Sequence, residues 1–117
     1  MKSVLVIEDN LELRENTAEL LELAGYQVFT AENGKTGFEQ ALYNHPDVIV
    51  CDIAMPVWDG SFFLQEIKKE DSTKEIPLIF FSAGSAPPAI RRDIEAGGSR
   101  YISKPFSNDE LLNAVAA

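Results

Sequence analysis

The sequence predicts an α/β domain: an open, doubly wound parallel sheet of five strands with helices on both faces. Three observations carry that prediction. Short apolar runs alternate strictly with stretches of helical spacing, joined by connections of a few residues, as in a parallel sheet covered on both sides. The central run, Val48–Cys51 within VIVCDIAMPVWDG, is continuous and rich in β-branched residues, as in a strand buried on both faces. A length of 117 residues is enough for one core but not for a closed barrel, which needs roughly 200 or more.

Each element has its own local signature. Ser3–Ile7 is the first predicted strand and runs into Glu8-Asp9-Asn10. Leu13, Thr17, Leu20, Leu21 and Ala24 then share one helical face, with Glu12, Glu15, Glu19 and Glu22 mostly elsewhere. Asp9 with Glu12 has capping-box spacing, Asn10 is an alternative cap, and Gly25 closes the helix. Tyr26–Thr30 reads as the second strand. Asn33-Gly34 signals a turn, and Phe38, Ala41 and Leu42 give the second helix its apolar side. Asn44-His45-Pro46 ends that helix ahead of the central strand. Past Gly60, the residues Phe62, Phe63, Leu64 and Ile67 mark a third helix.

A polar connection from Lys68 to Glu75 follows, and Pro77 introduces a fourth strand at Leu78–Phe81. Pro87 and Pro88 suit the first turn of a helix, Ile90 and Ile94 supply its contacts, and Gly97-Gly98 stop it. Arg100–Ser103 is the fifth strand. Ser107 and Glu110 form a capping box ahead of Leu111, Leu112 and Val115, in a helix running from about Asn108 to Ala117.

Composition narrows the functional classes. With 45% hydrophobic and 25% charged residues the chain reads as an ordinary soluble domain. No apolar stretch approaches the ~20 residues needed to span a bilayer, and MKSVLVIEDN is not a signal peptide. A single cysteine, Cys51, excludes an internal disulfide and fits a reducing compartment, so the expected location is the cytoplasm. The net charge of −9 argues against this domain gripping nucleic acid or a membrane surface.

The chemistry lies at one edge of the predicted sheet. Parallel strands bring their carboxyl ends together, and ligands of open α/β sheets sit there. That edge collects Glu8 and Asp9 from strand one, Asp52 from strand three, Ser82 from strand four and Lys104 from strand five. Each has a plainer reading taken singly. A Glu-Asp pair often starts a helix, and Asp52 could simply end its strand. Together the three carboxylates repel, and their pKa values rise unless a cation joins them. An all-oxygen site open to water suits Mg²⁺ before Ca²⁺. Lys104 adds a fixed cation and Ser82 a hydroxyl donor, which are parts for stabilising a phosphoryl group. Asp52, the only carboxylate on the central strand, is then the natural nucleophile toward phosphorus.

Along essentially its whole length the sequence resembles a receiver domain of the two-component response-regulator family. The matching pieces are Glu8-Asp9 after VLVI, Asp52 in DIAMPVWDG, Ser82-Ala83 after LIFF, the EAG of Glu95–Gly97, and SKPF from Ser103 to Phe106. The resemblance implies a flavodoxin-like sheet of order 2-1-3-4-5. It implies that Asp52 accepts a phosphoryl group from a phosphohistidine of a sensor histidine kinase or a histidine phosphotransfer protein. Asp9, Asp52 and the main-chain carbonyl of Ala54 would ligate Mg²⁺, with Glu8 acting through water. Lys104 would pair with one phosphoryl oxygen and Ser82 would donate to another. Tyr101 stands at the family's aromatic switch position, and Lys104-Pro105 at a bond that is often cis.

The implied switch has two states. Ser82 moves toward the phosphoryl group, Tyr101 turns inward, and the surface of helix four, strand five and helix five changes. A downstream target protein or an output domain would read that surface, with a phosphorylation-dependent homodimer as a further outcome. The chain would then be no enzyme but a signalling switch, taking part in its own phosphorylation and slow self-dephosphorylation. Ser82 stands where Thr is commoner, keeping the hydroxyl and losing a methyl. Ala54 and Gly84 occupy positions that tune phosphoryl lifetime, and neither can position a water by hydrogen bonding. On this reading residues 1–117 are one receiver domain, either standing alone or cut from a longer regulator.

Other residues have bland readings. His45 beside Pro46 is a solvated turn residue, Cys51 a buried inert thiol facing away from Asp52, and Trp58 an exposed loop aromatic near the site. Rival functions lack their parts. A haloacid-dehalogenase-type phosphatase needs a second Asp where Ala54 stands, and a flavin module needs a phosphate loop where Glu8-Asp9 would repel phosphate. A receiver that only binds partners would have lost the acceptor or an acid, and neither is missing.

Overall fold

A computed structural model of the chain describes residues 1–116. Among these residues strands and helices alternate as the sequence predicts. They run β1 (Ser3–Ile7), α1 (Leu11–Leu23), β2 (Gln27–Ala31), α2 (Gly34–Asn44) and β3 (Val48–Asp52). Then follow α3 (Gly60–Lys69), β4 (Leu78–Ser82), α4 (Pro88–Glu95), β5 (Ser99–Ser103) and α5 (Asn108–Ala116). Ala117, included in the last helix from sequence, lies outside the described residues. All strand pairs are parallel, in the order β2-β1-β3-β4-β5.

Strand alternation divides the core in two. Leu5, Ile7, Ile49, Cys51, Leu78 and Phe80 face the side covered by Phe63, Ile67 and Ile90 of α3 and α4. Val4, Val6, Val48, Val50, Ile79 and Phe81 face Leu21 of α1 and Leu111 and Val115 of α5. β1 and β3 are buried along their whole lengths, which explains their continuous apolar runs. By the same alternation Asp52 belongs to the α1/α5 side and Cys51 to the other.

The helix starts follow side-chain chemistry. Asn10 caps α1, its side-chain oxygen accepting from the Leu13 N–H at 2.9 Å, which resolves the choice between Asp9 and Asn10. Asn33 does the same for Thr36 at 2.9 Å, so Asn33-Gly34 opens α2 directly rather than forming a separate turn. Asp59 caps α3 through Phe62, and Ser107 and Glu110 make the predicted reciprocal box, both bonds at 3.1 Å. Strand limits shift by a residue where pairing extends them: Ala31 pairs with Ile7, Ser99 with Leu78, and Ser82 with Ser103.

The loop from β3 to α3 departs from expectation. Val57 and Trp58 both have positive φ, 48° and 62°, in the left-handed region that costs side chains with a Cβ roughly 1–2 kcal/mol per residue. Two contacts hold them there. The Gly34 N–H donates to the Val57 carbonyl at 3.2 Å. The Trp58 ring lies between Phe38 and Phe62, with centroids at 5.5 and 4.8 Å. Trp58 is therefore half-buried, not an exposed loop aromatic. Val57 itself is 57% exposed, so its branched side chain contributes strain and little packing. Val57→Asn is expected to raise stability by about 1 kcal/mol in urea unfolding, because Asn tolerates this conformation. An unchanged or lowered midpoint would show that the strain is already relieved.

Candidate functional site

The carboxyl ends of β1, β3 and β5 bring Glu8, Asp9, Asp52 and Lys104 together. One carboxylate oxygen from each of Glu8, Asp9 and Asp52 lies within 4.8 Å of the others. Glu8 and Asp52 are 1% and 5% exposed, whereas Asp9 is open to solvent. Capping by Asn10 frees Asp9 from that duty. The Lys104 ammonium reaches Glu8 Oε1 at 3.1 Å and Asp52 Oδ2 at 3.4 Å. The other oxygen of Asp52 accepts from the Ala54 N–H at 3.3 Å, and Asn10 N–H donates to Glu8 Oε2 at 3.1 Å.

Three carboxylates stand against one ammonium, and Glu8 lies almost fully buried among them. Burial first, then the Asp9 side chain, push its carboxyl from 4.5 to about 7; the Asp52 charge adds to this, while the Asn10 N–H and Lys104 act the other way. A compact set of hard oxygen donors with unbalanced negative charge and one solvent-facing member fits a hydrated divalent cation such as Mg²⁺. Glu8, Asp9 and Asp52 are the side chains positioned to hold it.

Ala54 and Ser82 adjoin this cluster through backbone bonds to Asp52 and Lys104, and Tyr101 reaches the end of β4 and the loop that follows it. Ser82 ends β4, and its hydroxyl accepts from the Gly84 N–H at 3.1 Å. The Tyr101 hydroxyl donates to the carbonyls of Ser82, at 3.3 Å, and of Gly84. Gly84 thus touches both side chains, one through each end of its peptide. The ring of Tyr101 is half-buried against the α3/α4-side core. Ala54 is exposed, and the Lys104–Pro105 bond is cis. His45 sits exposed at the end of α2, and burial pushes the Cys51 thiol well above its ordinary pKa, consistent with an inert core position.

Two contributors were not singled out from sequence. Arg14 donates to the Glu8 carbonyl at 2.8 Å; its place one turn after Asn10 could have indicated that reach. Phe81 lies beneath Lys104, with the ammonium 5.0 Å from the ring centroid. Nothing in the run LIFF sets that ring apart from ordinary core.

Comparison with known proteins agrees with this geometry. The family model described as the response regulator receiver domain matches residues 4–116. The phosphate regulon transcriptional regulatory protein PhoB of Escherichia coli is 33% identical over 116 residues, covering 99% of this chain and 51% of that protein. Hybrid signal transduction histidine kinase D of Dictyostelium discoideum is 35% identical, over 96% of this chain and 7% of that protein. The chain thus spans about half the length of the PhoB relatives it matches, 51%. Among solved structures, the Vibrio cholerae chemotaxis protein CheY4 superposes with a TM-score of 0.89 at 28% identity, over 99% of this chain and 97% of that one. The receiver domain of sensor histidine kinase PA1611 from Pseudomonas aeruginosa, solved with a magnesium ion in its active-site cleft, gives 0.85 at 25% identity, covering 99% and 98%. Among the described residues no helix is long and apolar enough to cross a membrane. The chain belongs to the response regulator receiver domain family.

Proposed function

We propose that this chain is a phospho-acceptor receiver of a cytoplasmic two-component phosphorelay, with Asp52 as the acceptor. The observation that carries the reading is the placement of Asp52. It is almost fully buried yet meets Lys104 at 3.4 Å and lies within 4.8 Å of oxygens from Glu8 and Asp9. A carboxylate oxygen of Asp52 attacks phosphorus, the bond from phosphorus to the donor histidine nitrogen breaks, and its electron pair returns to the imidazole. Mg²⁺, held by Asp9, Asp52 and the Ala54 carbonyl with Glu8 through water, would neutralise charge on the transferring oxygens. Lys104 supplies the second cation, already directed at Asp52.

Ser82 and Tyr101 couple the site to the surface of α4, β5 and α5. The Ser82 hydroxyl accepts from the Gly84 N–H, and turning its own O–H to a phosphoryl oxygen exchanges that contact for a new one. Since Gly84 also receives the Tyr101 hydroxyl, the exchange disturbs the tie between β5 and the loop ahead of α4. A sensor histidine kinase or histidine phosphotransfer protein would be the donor. A target protein, an output domain or a second phosphorylated copy would read the changed surface. Residues 1–117 would act as one receiver unit, a switch whose only chemistry is on itself.

Intact-mass measurement after incubation with Mg²⁺ and acetyl phosphate tests this reading. The wild type should gain one phosphoryl mass, chelation should prevent it, and Asp52→Asn should gain none. An adduct that persists in Asp52→Asn would move the acceptor elsewhere. A wild type that gains no adduct, and whose Trp58 fluorescence ignores beryllofluoride, would be a partner-binding receiver without phosphorylation.

A further inference from the structure

We propose that Phe81 is a positioning residue for Lys104, its aromatic face serving as the seat of the ammonium between the two carboxylates. The inference rests on the reading of Asp52 as phosphoryl acceptor and concerns what sets the cation in place. Phe81 is the β4 residue in register with Asp52, so the two side chains leave neighbouring strands on the same side of the sheet. The Lys104 ammonium stands 5.0 Å from the ring centroid, inside the roughly 6 Å reach of a cation–π contact. The Lys104 side chain is only 25% exposed, so water screens the contact incompletely. The next β4 residue grips the other end of the lysine, the Ser82 carbonyl accepting the Lys104 N–H at 2.8 Å. Two consecutive β4 residues thus fix both its backbone and its head.

The ring itself is immobilised. Phe81 is fully buried, and Phe106 packs on it edge to face, with centroids 5.6 Å apart and planes at 72°. Chemistry explains why an aromatic face suits this place. An ammonium has three N–H donors. Glu8 and Asp52 take one each, and a phosphoryl oxygen needs one as well. A carbonyl or hydroxyl beneath the lysine would occupy a donor, and an aliphatic side chain would desolvate the charge with no return. The π face attracts the charge and uses no donor, so the head stays centred while its hydrogen bonds are exchanged.

Packing alone makes a different prediction from charge attraction, and fluorination separates them. Mono-, di- and trifluorophenylalanine placed at position 81 keep the ring's shape while progressively cancelling the negative charge of its face. The rate of phosphorylation by acetyl phosphate at saturating Mg²⁺ should fall stepwise, reaching roughly three- to tenfold for the trifluoro ring. The unfolding midpoint should stay close to the wild type. In a Lys104→Met background the same series should be flat. In the wild type the Lys104 ε-methylene protons should be displaced upfield by the ring current, and Phe81→Leu should return them to ordinary positions. Equal rates across the series, or ε protons without displacement, would overturn the inference. If the wild type takes no phosphoryl group, the reading of Asp52 falls, and the ring-current shift alone then decides whether Phe81 seats the lysine.

Discussion

Gly34→Ala is expected to destabilise the protein by about 3 kcal/mol, the upper end of what overpacking costs. A Cβ at position 34 would stand 2.2 Å from the Trp58 carbonyl oxygen and 2.8 Å from the Trp58 Cβ. The oxygen is backbone and the Cβ is rooted on it, and neither has room to retreat. Val57 and Trp58 are already in the left-handed region, Gly34 itself holds the Val57 carbonyl, and the indole is wedged between Phe38 and Phe62. The loop would have to move as a unit, giving up the aromatic contacts that offset its strain. In thermal unfolding this should appear as a fall of roughly 10 °C or more. Gly84→Ala is the control, since a Cβ there meets nothing within 4 Å and should change stability by no more than about 0.5 kcal/mol. A Gly34→Ala melt that overlays the wild type would show that the loop is softer than its contacts suggest.

Glu8→Gln should act in the opposite direction in the absence of divalent metal. With its carboxyl raised from 4.5 to about 7, Glu8 binds its proton more tightly in the folded state than in the unfolded chain. Folded protein is therefore favoured by this group at low pH, and the advantage is lost as pH rises from 4.5 to about 7. Above that window the ionised, buried carboxylate costs the metal-free protein up to about 3 kcal/mol. Gln cannot ionise, so Glu8→Gln should be more stable than the wild type at pH ~8 and close to it near pH ~4.5, without that slope. Added Mg²⁺ should narrow the gap by stabilising the wild type more than the variant, because only the wild type offers the full carboxylate set. Urea unfolding at the two pH values, with and without Mg²⁺, reads all of these effects. Parallel pH profiles for the two proteins would remove Glu8 as the source of the slope.

The site was legible for a topological reason. Once the strands are parallel, any polar residue that terminates one must lie at the same edge, so Glu8, Asp9, Asp52, Ser82 and Lys104 could be grouped without coordinates. Two helix starts were legible because Asn10 and the Ser107–Glu110 pair act on backbone within three residues. Features that depend on distant elements were not. Strand order came from resemblance, since periodicity carries no information about which strand is whose neighbour. Trp58 looked exposed because its burial depends on Phe38 of α2 and Phe62 of α3 closing around it. Phe81 looked like common core because its distinguishing contact comes from Lys104, twenty-three residues later in the chain.

The modest anchoring of α4 bears on the energy scale of signalling. Its N-cap, Pro87, makes no side-chain bond to the first turn, and Ile90 is its one fully buried side chain among the described residues. Lifting such a helix uncovers Ile90 and part of Ile94, a hold of roughly 3–4 kcal/mol by apolar transfer. A new anionic group that gains one or two charge-assisted hydrogen bonds delivers about 1.5–3 kcal/mol for each. The two quantities match. A helix moored by a second or third deep anchor would ignore a single covalent mark, whereas one moored by Ile90 lies within its reach.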